Sequence, residues 1–178
     1  IVRTVPTLER ATVFSPTPAH REAFAREMSA WLGISVTPVA SVQQAAEGAD
    51  IIDLANNSRQ PVLDMAWVKP GALVIPVGGN QLQPSVLGGG YRIVTTTWAQ
   101  MARGREPYST AIREGRFAPE QTSGELAEVI LRQVTPRRRP DETVVYELGR
   151  INIWAVSVCY WAYQWARERG AGIPFSLV

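Results

Sequence analysis

Cysteine and histidine are nearly missing from these 178 residues: Cys159 and His20 are the sole examples. One thiol excludes an internal disulfide framework and a cysteine-based zinc site, and one imidazole excludes a multi-histidine site, so no metal is expected. No apolar run reaches the ~20 residues that span a bilayer. The opening stretch IVRTVPTLERATVF has the build of neither a signal peptide nor a transit peptide. No membrane partner is expected, and cytoplasm is the expected location. Charge of one sign is scarce too, with a formal net charge of +2. The run Pro136-Arg137-Arg138-Arg139-Pro140 reads as a solvated surface turn, and no nucleic-acid partner is expected. Also lacking are a G-x-S-x-G elbow, a nucleophile beside His20, and a glycine-rich pyrophosphate loop.

What is present describes an ordered globular chain: 46% hydrophobic and 19% charged residues, with a length that suits one domain. Strand and helix patterns alternate over the first hundred residues. Strands are predicted at 9–14, 34–39, 50–55, 72–77 and 91–96. Thr17-Pro18 opens a helix over 19–31, with Phe24, Met28, Trp31 and Leu32 near helical spacing, and Gly33 stops it. Ser41 caps a short helix over 41–47. Asp50 is placed as the cap at the start of the third strand, and Asp53, inside it, as a hydrogen-bonded structural residue. After Trp98 the pattern turns helical (98–103 and 123–134), with one more strand at 142–147. A long helix over 152–169 carries Trp154, Tyr160, Trp161, Tyr163 and Trp165 on more than one face, so it needs partners on several sides. Cys159, among those aromatics, reads as a small buried hydrophobe. Short βα connections of this kind define a right-handed α/β fold, a Rossmann-like parallel sheet flanked by helices.

Ligands of open parallel sheets sit beyond the carboxyl ends of the strands. Four such ends deliver small or polar residues: Ser15, Pro16 and Thr17; Asn56, Asn57 and Ser58; Val77 with Gly78, Gly79 and Asn80; and Thr95, Thr96 and Thr97. Asn and Ser side chains hydrogen-bond a ribose or a carboxamide, and paired glycines admit a flat ring close to the backbone. An acidic residue after the first of these strands would favour NAD. Ser15 and Thr17, with His20 and Arg21 nearby, leave room for a 2′-phosphate and favour NADP.

The stretch from Gly48 to Asn80 resembles the ornithine cyclodeaminase and mu-crystallin family. The shared strings are Gly48-Ala49-Asp50-Ile51-Ile52, Asn57-Ser58, Pro61-Val62-Leu63, Trp67-Val68-Lys69-Pro70-Gly71-Ala72 and Val77-Gly78-Gly79-Asn80. Gln100, Glu125-Leu126, Gly149, Trp154, Trp165-Ala166 and the region Gly170 to Gly172 extend the likeness over nearly the whole chain. The resemblance implies a Rossmann domain binding NAD or NADP, in a homodimer that acts on amino or cyclic imino acids by hydride transfer at the carbon bearing nitrogen. It further implies that Ser15, Pro16, Thr17, Asn56, Asn57 and Ser58 meet the adenosine and ribose. Val77, Gly78, Gly79, Leu148 and Gly149 would enclose the nicotinamide, and Asn80 would face substrate.

The departures bear on activity. The family's glycine-rich loop and its N-terminal substrate and dimerisation domain have no counterpart in these residues. The expected organisation is therefore a Rossmann domain incomplete at its N-terminus over 1–150, followed by a helix and tail over 151–178 that return toward the absent domain. Asn80 replaces the catalytic Asp, Thr96 and Ala155 replace two further Asp residues, and Pro84 stands where cyclodeaminases have a cofactor-contacting Lys. An amide does not take up a proton at neutral pH. A reductase-type or degenerate member is expected; the alternatives are a non-catalytic, crystallin-like binding protein or a fragment without activity.

Overall fold

The computed structural model describes all residues except Val2, Arg3, Arg105, Arg150, Ile151, Pro174 and Ser176 to Val178; of Asn152 and Ile153 it describes the backbone alone. The chain divides into two compact units, Ile1–Leu148 and Gly149–Val178.

In the first unit every strand pair is parallel. Strand β1 (Arg10–Val13) pairs with β2 (Ser35–Pro38). A second sheet has the order β3-β4-β6-β5, formed by Ile51–Leu54, Leu73–Pro76, Val144–Glu147 and Arg92–Thr95. Strand β6, last in sequence, thus lies between β4 and β5. Burial declines steadily across these strands. Val144, Val145 and Glu147 of β6 are buried, as are Ile93, Val94 and Thr95 of β5, so side chains on both faces are covered. Strands β3 and β4 alternate between buried and more open positions, and in β2 only Val36 is buried. Among the described residues β1 and β3 each have strand pairing on one edge alone.

Helix α1 (Pro18–Leu32) starts with Thr17 in extended conformation and proline at its first turn, and Gly33 ends it at φ 70°. The expected Phe24–Trp31 stripe does not pack inward: Phe24 is 49% and Trp31 68% exposed, and Ala25 alone is buried. Helix α1 is tied to β2 by Ser29, whose Oγ accepts from Val36 N at 3.0 Å. Helix α2 (Val42–Ala46) is capped as expected by Ser41, whose Oγ accepts from Gln44 N at 3.1 Å.

Helix α3 (Trp98–Ala102) is followed by α4 (Tyr108–Arg113), which the sequence did not announce. Tyr108, Ala111 and Phe117 are buried there, with Trp98 stacked on Phe117 at 6.1 Å. Helix α5 is shorter than predicted, Leu126–Ile130. The core joins these helices to the sheet through Leu63, Val74, Ile93, Met101 and Val145.

The second unit is helix α6, Asn152–Glu168. Trp154, Tyr160, Trp161, Tyr163 and Trp165 are exposed, and so is Cys159, which corrects the expectation of a buried thiol. No helix among the described residues is long and apolar enough to cross a membrane.

Candidate functional site

Because the strands of each sheet are parallel, their carboxyl ends share one edge. The structure sorts the expected site residues along it. Ser15 is half-buried, with its carbonyl accepting from Arg21 Nη1 at 2.9 Å; Pro16 and Thr17 are exposed. Arg21 is thereby drawn to the end of β1, whereas His20 is exposed on the first turn of α1.

Beyond β3, Asn56 Oδ1 accepts from Ser58 N at 2.9 Å, and Ser58 Oγ donates to Gln60 O at 2.9 Å. Asn57 is exposed. These local bonds shape the loop while leaving the Asn57 amide to face outward.

The end of β4 is tied to the end of β3 by a residue that sequence reasoning passed over. Gln81 is 1% exposed. Its Oε1 accepts from Gly78 N at 2.9 Å, and its Nε2 donates to Asn56 O at 3.0 Å. The two paired glycines consequently differ. A Cβ on Gly78 would lie 2.7 Å from Gln81 Nε2, so this glycine makes room for Gln81 and not for a ligand ring. Gly79 has nothing within 4 Å of a Cβ and opens to solvent. Val77 is 39% exposed at the same edge. A buried glutamine one residue beyond V-G-G-N was the available signal for this clamp, since a side chain of that polarity is buried only when both ends of its amide are satisfied.

Asn80 follows at φ 61°, a left-handed conformation that Asn adopts more readily than most residues. It is exposed and lines a hollow of about 280 Å³ together with Arg59, Gln60, Leu82, Pro84 and Glu106. Glu106 is held below the usual carboxylate range, first by the Thr110 hydroxyl at 2.7 Å, opposed by partial burial, and then by the Ser109 hydroxyl at 2.7 Å.

The end of β5 is not available to a ligand in the manner expected. Thr95 and Thr96 are 0% and 3% exposed. Thr95 Oγ1 donates to Thr97 O at 3.2 Å and to Glu147 Oε2 at 3.4 Å, and Thr96 Oγ1 shares a hydrogen bond with Tyr146 Oη at 3.1 Å. These hydroxyls fasten β5 to β6. Leu148 follows β6 and is half-buried; Gly149 is buried.

Asp50 does not cap its strand. It forms an ion pair with Lys69 at 2.6 Å, which holds the carboxyl below its usual range. The Asp53 side chain is exposed and forms no hydrogen bond among the described residues; loss of solvent pushes its carboxyl up, opposed by the N-terminal ammonium. The three arginines of the basic run are exposed, as expected of a surface turn, and two of their side chains also make bonds within the fold. Arg137 Nη2 donates to Ala72 O at 3.3 Å, and Arg139 Nε pairs with Asp141 at 3.1 Å. No group of His, Cys, Asp and Glu suited to a metal ion occurs among the described residues.

Parallel strands with helical connections and small polar groups at the carboxyl edge define an α/β protein of the Rossmann-like kind. The ornithine cyclodeaminase/mu-crystallin family model matches residues 1–170, and the chain belongs to that family. An uncharacterised cyclodeaminase of Sinorhizobium fredii is 24% identical over 173 residues, covering 94% of this chain and 52% of that protein. The structure of Δ1-pyrroline-2-carboxylate reductase from Thermococcus litoralis, in complex with NADH and L-proline, superposes with a TM-score of 0.89 at 25% identity, over 98% of this chain and 55% of that one. An archaeal alanine dehydrogenase dimer with bound NAD shares the fold, with a TM-score of 0.85 at 21% identity over 99% and 55% of the two chains. The chain spans about half the length of the relatives it matches.

Proposed function

We propose that these residues form part of the nucleotide-binding half of a nicotinamide-dependent oxidoreductase acting on amino or cyclic imino acids, of reductase type and not a cyclodeaminase. The observation that carries the reading is the turn at the end of β4, where Gly79 is open, Gln81 fixes the backbone and Asn80 projects at the rim of a hollow. The cofactor would supply the hydride. This chain's residues would bind and orient: Ser15, Pro16 and Thr17 with Asn56, Asn57 and Ser58 toward the adenosine and ribose, and Val77, Gly79, Leu148 and Gly149 toward the nicotinamide. Gly78 contributes through Gln81. The small residues around Ser15, with Arg21 held against its carbonyl, favour NADP over NAD.

The unpaired edges of β1 and β3 and the greater length of the relatives support a further part of this proposal. Residues 1–150 are an incomplete Rossmann domain whose central strand and pyrophosphate loop come from elsewhere, and residues 151–178 return to a substrate and dimerisation domain in a homodimer. The exposed aromatics of α6 favour such a covering partner. A cytoplasmic location belongs to the same reading.

Tryptophan fluorescence titration with NADPH and NADH tests it, on this chain and on a form extended upstream through a glycine-rich loop. Binding by the extended form, tighter for NADPH and weak or absent in the 178-residue chain, is the expected result. No binding by either form refutes the cofactor role and favours a crystallin-like or inactive relative.

A further inference from the structure

We propose that Arg59 and Glu106 form a charge-selective clamp for a small zwitterionic amino acid in the hollow beside Asn80, the guanidinium taking the carboxylate and the Glu106 carboxylate the ammonium. The proposal deepens the oxidoreductase reading and rests on it for the identity of the site. Two opposite charges line this hollow of about 280 Å³. They do not neutralise each other: Arg59 has no hydrogen bond or ion pair with any described residue, so no Arg59 nitrogen lies within 4.0 Å of a Glu106 oxygen. A cation and an anion that face one cavity across a gap are matched by a dipolar ion that bridges them. An uncharged ligand meets neither need.

The two groups differ in how they are held. Glu106 is fixed at the start of α4, where Ser109 Oγ and Thr110 Oγ1 both donate to Oε1 at 2.7 Å and Thr110 N donates to Oε2 at 3.3 Å. Those donors keep it ionised at neutral pH. Arg113 Nη2 approaches to 3.9 Å and is itself largely exposed, so among the described residues this ion pair compensates the anion only weakly. Arg59 lies in the loop after β3 and is exposed, and its planar fork is suited to a carboxylate. Between them Gln60 and Asn80 offer amides, and Leu82 and Pro84 supply an apolar wall for a short aliphatic or ring carbon skeleton.

The test uses L-proline, L-prolinamide and N-acetyl-L-proline as probes, titrated onto the 178-residue chain and followed through the side-chain amide NMR signals of Gln60 and Asn80. L-proline is expected to shift both signals with a millimolar dissociation constant. The two analogues, each lacking one charge, are expected to bind at least about tenfold more weakly. Arg59→Gln should weaken L-proline about tenfold and leave L-prolinamide unchanged. Arg59 is exposed and unpaired, so this variant folds. Equal binding of the three probes, an unaltered affinity in Arg59→Gln, or no shift at tens of millimolar L-proline overturns the proposal. NADPH binding is read separately by fluorescence, on the form extended upstream through a glycine-rich loop. Cofactor binding without probe selectivity therefore removes the clamp alone, and probe selectivity without cofactor binding removes the oxidoreductase reading alone.

Discussion

Gly78→Ala isolates the feature on which the candidate site depends. Gly78 does not have a left-handed φ, so alanine is compatible with the backbone and would by itself gain up to about 1 kcal/mol from the unfolded chain. The new methyl would stand 2.7 Å from Gln81 Nε2, 3.0 Å from its Cδ and 3.2 Å from Asn56 O. A flexible side chain would ordinarily yield. Gln81 cannot do so cheaply, because it is 1% exposed and bonded at both ends of its amide. Withdrawal breaks two hydrogen bonds at about 1 kcal/mol each and strands a buried amide at about 1–3 kcal/mol more. Against the gain, the net loss is about 2–4 kcal/mol. For a chain of this size that lowers Tm by about 5–15 °C. Urea denaturation followed by tryptophan fluorescence measures it. A cycle with Gln81→Ala decides the cause: with the glutamine removed, Gly78→Ala should cost no more than about 1 kcal/mol, so the two changes are strongly non-additive. Additive losses, or a Gly78→Ala effect under about 0.5 kcal/mol, would refute the claim that this glycine exists to admit Gln81.

Two further variants probe groups whose charged or polar form loses solvation in the fold. Asp53 has its carboxyl pushed up by lost solvation, so its charged form is penalised in the folded chain. The penalty is absent below the ordinary value of 3.8, grows as pH rises through it, and is complete above the raised folded value. Asp53→Asn should therefore raise Tm at pH 7 and leave it unchanged near pH 3, about a unit below the ordinary value; a gain that grows toward low pH contradicts the assignment. Tyr108 is 1% exposed and its hydroxyl has no hydrogen-bond partner among the described residues, with burial and the Glu147 charge both pushing its pKa up. Tyr108→Phe should be neutral or stabilising by about 1 kcal/mol in thermal unfolding, and a clear destabilisation would reveal a bond that this packing does not contain.

The sequence made the alternation of strand and helix legible because apolar runs bounded by Gly and Pro set local conformation directly. Strand cores at Ile51–Leu54 and Leu73–Pro76, the Ser41 cap and the Gly33 stop all follow from short-range rules. Strand order was not legible. Nothing local in Val144–Glu147 says that it inserts between β4 and β5, because that choice is made by packing across the whole core. The same limit governs the site. Thr95 and Thr96 look like any polar strand end, and only the neighbouring β6, with Tyr146 and Glu147, turns their hydroxyls inward. Helix α4 was missed because its six residues show too little periodicity, and its burial comes from Tyr108, Ser109 and Ala111 together.

Asn80 stands in the turn after β4, at the rim of the hollow. Its left-handed backbone suits Asn and Asp alike, so conformation does not explain which of the two occupies the turn. Chemistry separates them, since the amide neither gives nor takes a proton at neutral pH. The carboxylate that lines the hollow, Glu106, is a poor substitute. Three donors from Ser109 and Thr110 stabilise its charged form, and a group held so firmly ionised is a weak proton donor near pH 7. A site built from Arg59, Gln60, Asn80 and Glu106 is therefore equipped to hold a charged ligand in a fixed pose and ill equipped to move protons to and from it. Cyclodeamination requires that proton traffic. Hydride transfer onto an already protonated imine does not, which is the physical reason for preferring a reductase-type reading of this fold.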